Sequence, residues 1–108
     1  MAINCQDAYI PDNNGDQPRD QEIDPSGEAA YFSTLPIREL EAALKKENIP
    51  ARISNSAGTY VCNYVFYQLM KMNLNTKRKC GFIHVPSETT LDLNVLIEGL
   101  EVILKNLA

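Results

Sequence analysis

Asn55-Ser56-Ala57-Gly58-Thr59-Tyr60-Val61-Cys62-Asn63-Tyr64-Val65-Phe66-Tyr67 is the stretch whose reading decides the fold. It reads as a strand end, a tight turn of small residues (Ser56, Ala57, Gly58) and a helix running from Gly58 or Thr59 to Asn73. Tyr60, Val61, Tyr64, Val65, Tyr67, Leu69 and Met70 cover most of that helix's circumference, which predicts burial on all sides. Cys62 falls in the first turn. There a thiol meets main-chain N–H groups and the positive end of the helix dipole, a setting that favours the thiolate. Two readings of Cys62 stand together: a nucleophile, or a small buried core residue, since cysteine is among the most buried residue types.

Outward from this stretch, strands and helices alternate. Residues 2–5 read as a short strand and residues 34–48 as a helix, with Ser33 or Thr34 as cap and Pro36 in the first turn. Ile37, Leu40, Ala43 and Leu44 form its apolar face, and Asn48 and Pro50 end it. Residues 51–54 read as a strand leading into the Cys62 turn. The run Cys80-Gly81-Phe82-Ile83-His84-Val85-Pro86 reads as a buried strand. A last helix spans about Thr90–Leu107, with Leu93, Leu96, Ile97, Leu100, Ile103, Leu104 and Leu107 at helical spacing and Gly99 as a point of close packing. This order predicts an α/β fold with a mostly parallel sheet and helices on both faces. In such sheets ligands bind beyond the carboxyl ends of the strands. That rule directs Cys62 and the single histidine, His84, to one edge.

Between the first strand and the first helix lies a polar excursion, residues 6–30, with seven acids against one base, Arg19. Tyr9-Ile10 and Gln21-Glu22-Ile23 are candidates for a two-stranded ribbon across the Asn14-Gly15 turn. Excursions of this length serve function or assembly, or are solvated loops.

Composition excludes several classes of function. The 108 residues suit one small domain, and the net charge of −4 argues against a nucleic-acid surface. The basic cluster Lys71, Lys77, Arg78 and Lys79 reads as a solvated helix end. Three cysteines (Cys5, Cys62, Cys80) with no CxxC and one histidine fit neither a disulfide scaffold nor the usual zinc patterns, so no metal is expected. No basic segment precedes an apolar run at the N-terminus and no apolar run reaches membrane-spanning length. The expectation is a soluble, cytoplasmic chain whose thiols stay reduced.

Two segments together carry a resemblance. Ser54-Asn55-Ser56-Ala57-Gly58-Thr59-Tyr60-Val61-Cys62-Asn63 and Gly81-Phe82-Ile83-His84-Val85-Pro86 closely resemble the pyroglutamyl peptidase I (pyrrolidone-carboxylate peptidase) family of cysteine peptidases. Ala2-Ile3-Asn4, Ile10-Pro11-Asp12-Asn13, Gln17-Pro18 and Ala29-Ala30-Tyr31-Phe32-Ser33-Thr34-Leu35-Pro36 extend the likeness over nearly the whole chain. The resemblance implies a three-layer α/β/α sandwich, here incomplete with its N-terminal strands absent, and a β-ribbon excursion. It implies a peptidase that needs no cofactor and removes N-terminal pyroglutamate from peptides. Cys62 would be the nucleophile, His84 the general acid/base, and Tyr60 and Val61 would line the substrate pocket.

The family's triad glutamate stands just upstream of the segment matching Met1-Ala2-Ile3-Asn4. Residues 1–108 would then be the C-terminal portion of one peptidase domain, and the alternative is a truncated, non-catalytic remnant. Exposed sheet edges and helix faces would favour low stability or self-association, with a homo-oligomer as one outcome.

Overall fold

A computed structural model describes residues 1–108. The elements are β1 (Ala2–Ile3), β2 (Ala30–Tyr31), α1 (Ile37–Lys46), α2 (Val61–Met72) and α3 (Leu93–Leu107). The chain divides into two compact units, Met1–Leu35 with Asn55–Phe82, and Pro36–Ser54 with Ile83–Ala108.

The first unit packs α2 on an antiparallel two-stranded sheet in which Ala2 faces Tyr31 and Ile3 faces Ala30. Its core gathers Ala2, Phe66, Tyr67, Met70 and Cys80, with Ile23, Tyr31, Ala57 and Phe82 against them. Tyr67 is fully buried, and its hydroxyl donates to the Glu28 carbonyl at 2.7 Å. Its ring lies 4.9 Å from that of Tyr31. Burial first, and then the neighbouring Tyr31, push the Tyr67 phenol up to about 12.

The apolar circumference of α2 does not translate into burial on all sides. Asn63, Phe66, Tyr67 and Met70 form the buried stripe, whereas Val61, Val65 and Met72 are 58%, 52% and 77% exposed. The cause is the number of neighbours: β1 and β2 cover one face of the helix.

The excursion is tied at different points from those the sequence suggests. Gln6, not Tyr9 or Ile10, bridges to Gln21, and Ala8 N–H donates to Pro18 O at 2.9 Å. Tyr9 and Ile10 are exposed. The Asp12 carboxylate accepts from the N–H groups of Asn14 and Asp16, so the turn is held by a side chain. Further on, the Asn4 side chain accepts from Asp24 N–H at 2.9 Å and donates to Asp24 O at 2.7 Å. Lys71 of α2 pairs with the Asp24 carboxylate.

The second unit packs α1 against α3. Ser33 and Thr34 do not cap α1; the cap position is Pro36, without a side-chain bond. Both hydroxyls donate instead to Cys80 O within the first unit. The C-terminus follows expectation: Asn48 takes φ +60°, Ile49 N–H donates to Leu44 O, and Asn48 N–H donates to Lys45 O. This is a Schellman closure with asparagine in the left-handed position. In α3 the Asp92 carboxylate caps Asn94 N–H at 2.9 Å, so the helix starts three residues later than Thr90. Only one stripe of α3 is covered. Gly99 and Ile103 are buried, while Leu93, Ile97, Leu100 and Leu104 are exposed.

The strands expected at 51–54 and 80–85 form no ladder. Their main-chain groups go elsewhere. Ile53 N–H donates to the Glu41 carboxylate at 3.2 Å, and Cys80 N–H donates to the Thr34 hydroxyl at 2.7 Å. The burial expected of the 80–86 run is not found beyond Phe82 either, since Ile83, His84 and Val85 are exposed; a strand needs an adjacent edge as well as an apolar run.

Two outcomes test these packings. A Cβ added at Gly99 meets Ile49 Cγ2 at 3.5 Å and Leu44 Cδ2 at 3.7 Å, ordinary contact distances. Gly99→Ala should therefore stabilise the protein by about 0.5–1 kcal/mol in urea unfolding followed by circular dichroism. The Asp24 carboxyl is held down to about 2, by Lys71 first and then by Ser26, against 3.8 without partners. A depressed acid contributes stability that is present above its unfolded pKa and is lost as pH falls through the folded one. Asp24→Asn should flatten the loss of stability between about pH 4 and pH 2 in acid titrations.

Candidate active site

The N-terminus of α2 is built by its approach segment. Ser56 Oγ accepts from Gly58 N–H at 2.9 Å, and Gly58 takes φ +87°. That conformation is closed to a helical residue, so the helix cannot start at Gly58. Thr59 is equally committed, because its hydroxyl donates to Asp7 O at 2.7 Å and its carbonyl accepts from Asp7 N–H at 2.8 Å. The helix therefore begins at Val61, with Tyr60 at the cap position and no side-chain cap bond. Cys62 is its second residue and is half-buried. Cys5, Cys62 and Cys80 form no disulfide.

Asn63 follows, fully buried and without reactive chemistry of its own. Its Oδ1 accepts from Ile3 N–H at 3.0 Å, and its Nδ2 donates to Ile3 O at 2.8 Å and Cys5 O at 3.3 Å. The available signal was a lone amide on the buried stripe of an apolar helix, since a buried polar group needs partners.

Tyr60 and Val61 line a cavity of about 580 Å³, together with Asp12, Asp16, Gln17 and Tyr64. Two carboxylates and the amides of Gln6, Gln17 and Gln21 make its wall more polar than a pocket for a neutral lactam requires. The Tyr60 hydroxyl is buried without a hydrogen-bond partner. Burial chiefly, and then the charges of Asp12 and Asp16, raise its pKa. His84 is exposed, on the extended run after Phe82, and belongs to the second unit, whereas Tyr60, Val61 and Cys62 belong to the first. No group of three or more His, Cys, Asp or Glu side chains stands where it could hold a metal ion.

The glycine turn, the cysteine in the first turn of α2 and the downstream histidine run can now be set beside known proteins. The family model described as pyroglutamyl peptidase matches residues 1–96. The chain belongs to the pyroglutamyl peptidase family. Pyrrolidone-carboxylate peptidase 2 of Caldanaerobacter subterraneus is 46% identical over 97% of this chain and 57% of its own length. The Bacillus subtilis pyrrolidone-carboxylate peptidase is 45% identical over 99% of this chain and 52% of its own. Among solved structures, the pyrrolidone carboxyl peptidase of Thermococcus litoralis superposes with a TM-score of 0.88 at 37% identity, over 96% of this chain and 55% of that one. Pyroglutamyl peptidase I of Bacillus amyloliquefaciens gives 0.84 at 40% identity, over 94% and 55%. The α/β fold class is thus shared with these peptidases, and this chain spans about half the length of the relatives it matches. No helix is long and apolar enough to cross a membrane.

The glycine that sets the start of α2 gives a test. A Cβ at Gly58 meets nothing within 4 Å, so only the backbone conformation opposes a side chain. Gly58→Ala should cost about 1–2 kcal/mol in urea unfolding, and Gly58→Asn less, because asparagine tolerates positive φ.

Proposed function

We propose that this chain carries the nucleophile and the general acid/base of a cysteine omega-peptidase that removes N-terminal pyroglutamate from peptides. The observation that carries the reading is Cys62 as the second residue of α2, at the end of a glycine turn, in a chain of the pyroglutamyl peptidase family. Residues 1–108 are then the C-terminal portion of one peptidase domain, with 6–30 as an excursion from it. A neutral lactam offers no amine to attract, so its recognition rests on shape and amide contacts, and Tyr60 and Val61 are the candidates for it.

The reaction follows from these roles. The Cys62 thiolate attacks the pyroglutamyl carbonyl, and N–H groups in the first turn of α2 stabilise the oxyanion that forms. Collapse of the adduct breaks the amide bond, and the departing amine takes a proton from the His84 imidazolium. The resulting thioester is opened by water, which gives a proton to His84 as it attacks. Pyroglutamate leaves and the thiolate returns. A thiol nucleophile of this kind works in a reducing compartment, which favours the cytoplasm.

The reading is tested by release of a fluorescent amine from a pyroglutamyl aminocoumarin amide. Cys62→Ala and His84→Ala should each lower the rate by about three orders of magnitude or more. Wild-type protein quenched in acid should carry one pyroglutamyl group on the Cys62 peptide by mass spectrometry. Equal release by wild type and Cys62→Ala would overturn the reading. A folded wild type that neither releases amine nor becomes acylated would favour a non-catalytic member of the family.

A further inference from the structure

We propose that Asn63 is the positioning residue of Cys62, acting through the main chain of β1. The inference rests on reading Cys62 as the nucleophile. One residue past the β1–β2 ladder Asn4 N–H donates to Ala29 O, so Asn4 points its N–H to the side of β2. Adjacent residues of an antiparallel strand alternate in this respect. Ile3 therefore turns its N–H and C=O to the opposite edge. No strand lies there; the Asn63 carboxamide does. It accepts from Ile3 N–H and donates to Ile3 O, as a peptide unit of a neighbouring strand would.

The chemistry selects asparagine. Aspartate has the same shape but no donor for the Ile3 and Cys5 carbonyls, and glutamine places its amide one methylene too far. Asn63 is fully buried, so water cannot replace what a substitution removes. Cys62 is the preceding residue, about 100° around the helix. A second tether stands on its other side, where Thr59 exchanges two hydrogen bonds with Asp7. The thiol thus lies between two anchor points, Thr59 and Asn63, both fixed to the segment 3–7. A rotation of α2 that swings Cys62 must break one of them.

The test measures thiol chemistry rather than peptide cleavage. Alkylation by iodoacetamide is followed at Cys62 and Cys80 separately, by peptide mass spectrometry, from pH 5 to pH 10. Cys80 lies in the core and reports on folding. Asn63→Leu removes the whole fork without adding charge. Ile3→Pro removes the N–H that Asn63 accepts and sets the ring Cδ against its oxygen, with no ladder bond lost. In each variant Cys80 should stay protected while Cys62 alkylation at neutral pH changes by about threefold or more. If Asn63→Leu exposes Cys80, Ile3→Pro decides. A Cys62 profile that superimposes on wild type in a variant with Cys80 protected overturns the proposal. Exposure of Cys80 in both variants also overturns it, because the fork then holds the whole unit rather than the thiol. Failure to cleave a pyroglutamyl amide would count against the peptidase reading alone, since the alkylation profiles do not depend on turnover.

Discussion

A single carboxamide sets the geometry of the first unit. The sheet there is two strands of two residues each, far too small to orient a helix by its own ladder. Asn63 supplies what a third strand would supply, satisfying the outward N–H and C=O of Ile3 from the side of α2. Because the amide is fully buried, its loss leaves main-chain groups unpaired in a place water does not reach. The same device recurs at Asn4, whose side chain exchanges two hydrogen bonds with the main chain of Asp24 and draws the excursion back onto β1. Two asparagines thus act as portable peptide units where the chain has no strand to offer.

The apolar faces pose a different question from the polar ones. Both α2 and α3 carry more apolar residues than their neighbours cover. Val61, Val65 and Met72 on α2, and Leu93, Ile97, Leu100 and Leu104 on α3, are exposed. Contact with β1 and β2 accounts for one stripe of α2, and contact with the ten-residue α1 accounts for one stripe of α3. Relatives of about twice this length share the fold over nearly all of these residues.

What could be read from the sequence divides along the same line. Helix existence was legible, because a 3.6-residue period in α1 and α3 is a local property, and so was the asparagine stop at Asn48. Cys62 in a first turn was legible from the glycine before it. The start of α2 was misplaced by two or three residues because Gly58 and Thr59 are committed to a turn and to Asp7, a partner 52 residues away. The apolar run at 80–85 and the segment 51–54 before the turn both suggest strands, but ladder pairing is decided by neighbours that no local window contains. Asn63 was overlooked for the opposite reason. It has no reactive chemistry, and its importance lies in two carbonyls and an N–H that belong to β1.

The way α2 begins places its stability on its flanks rather than on a cap. A serine, threonine or aspartate cap would contribute about 1 kcal/mol and would lay its oxygen over the first-turn N–H groups. Here the cap position is Tyr60, with no side-chain cap bond, and the nearest hydroxyl, that of Thr59, is turned to Asp7. The stability forgone at the cap is offset on both sides of Cys62, by the Thr59–Asp7 exchange and by the Asn63 fork. The first-turn N–H groups stand at the positive end of the dipole, where a thiolate and a developing oxyanion both gain. The start of α2 is thus held by tethers on both sides of Cys62 rather than by a side-chain cap.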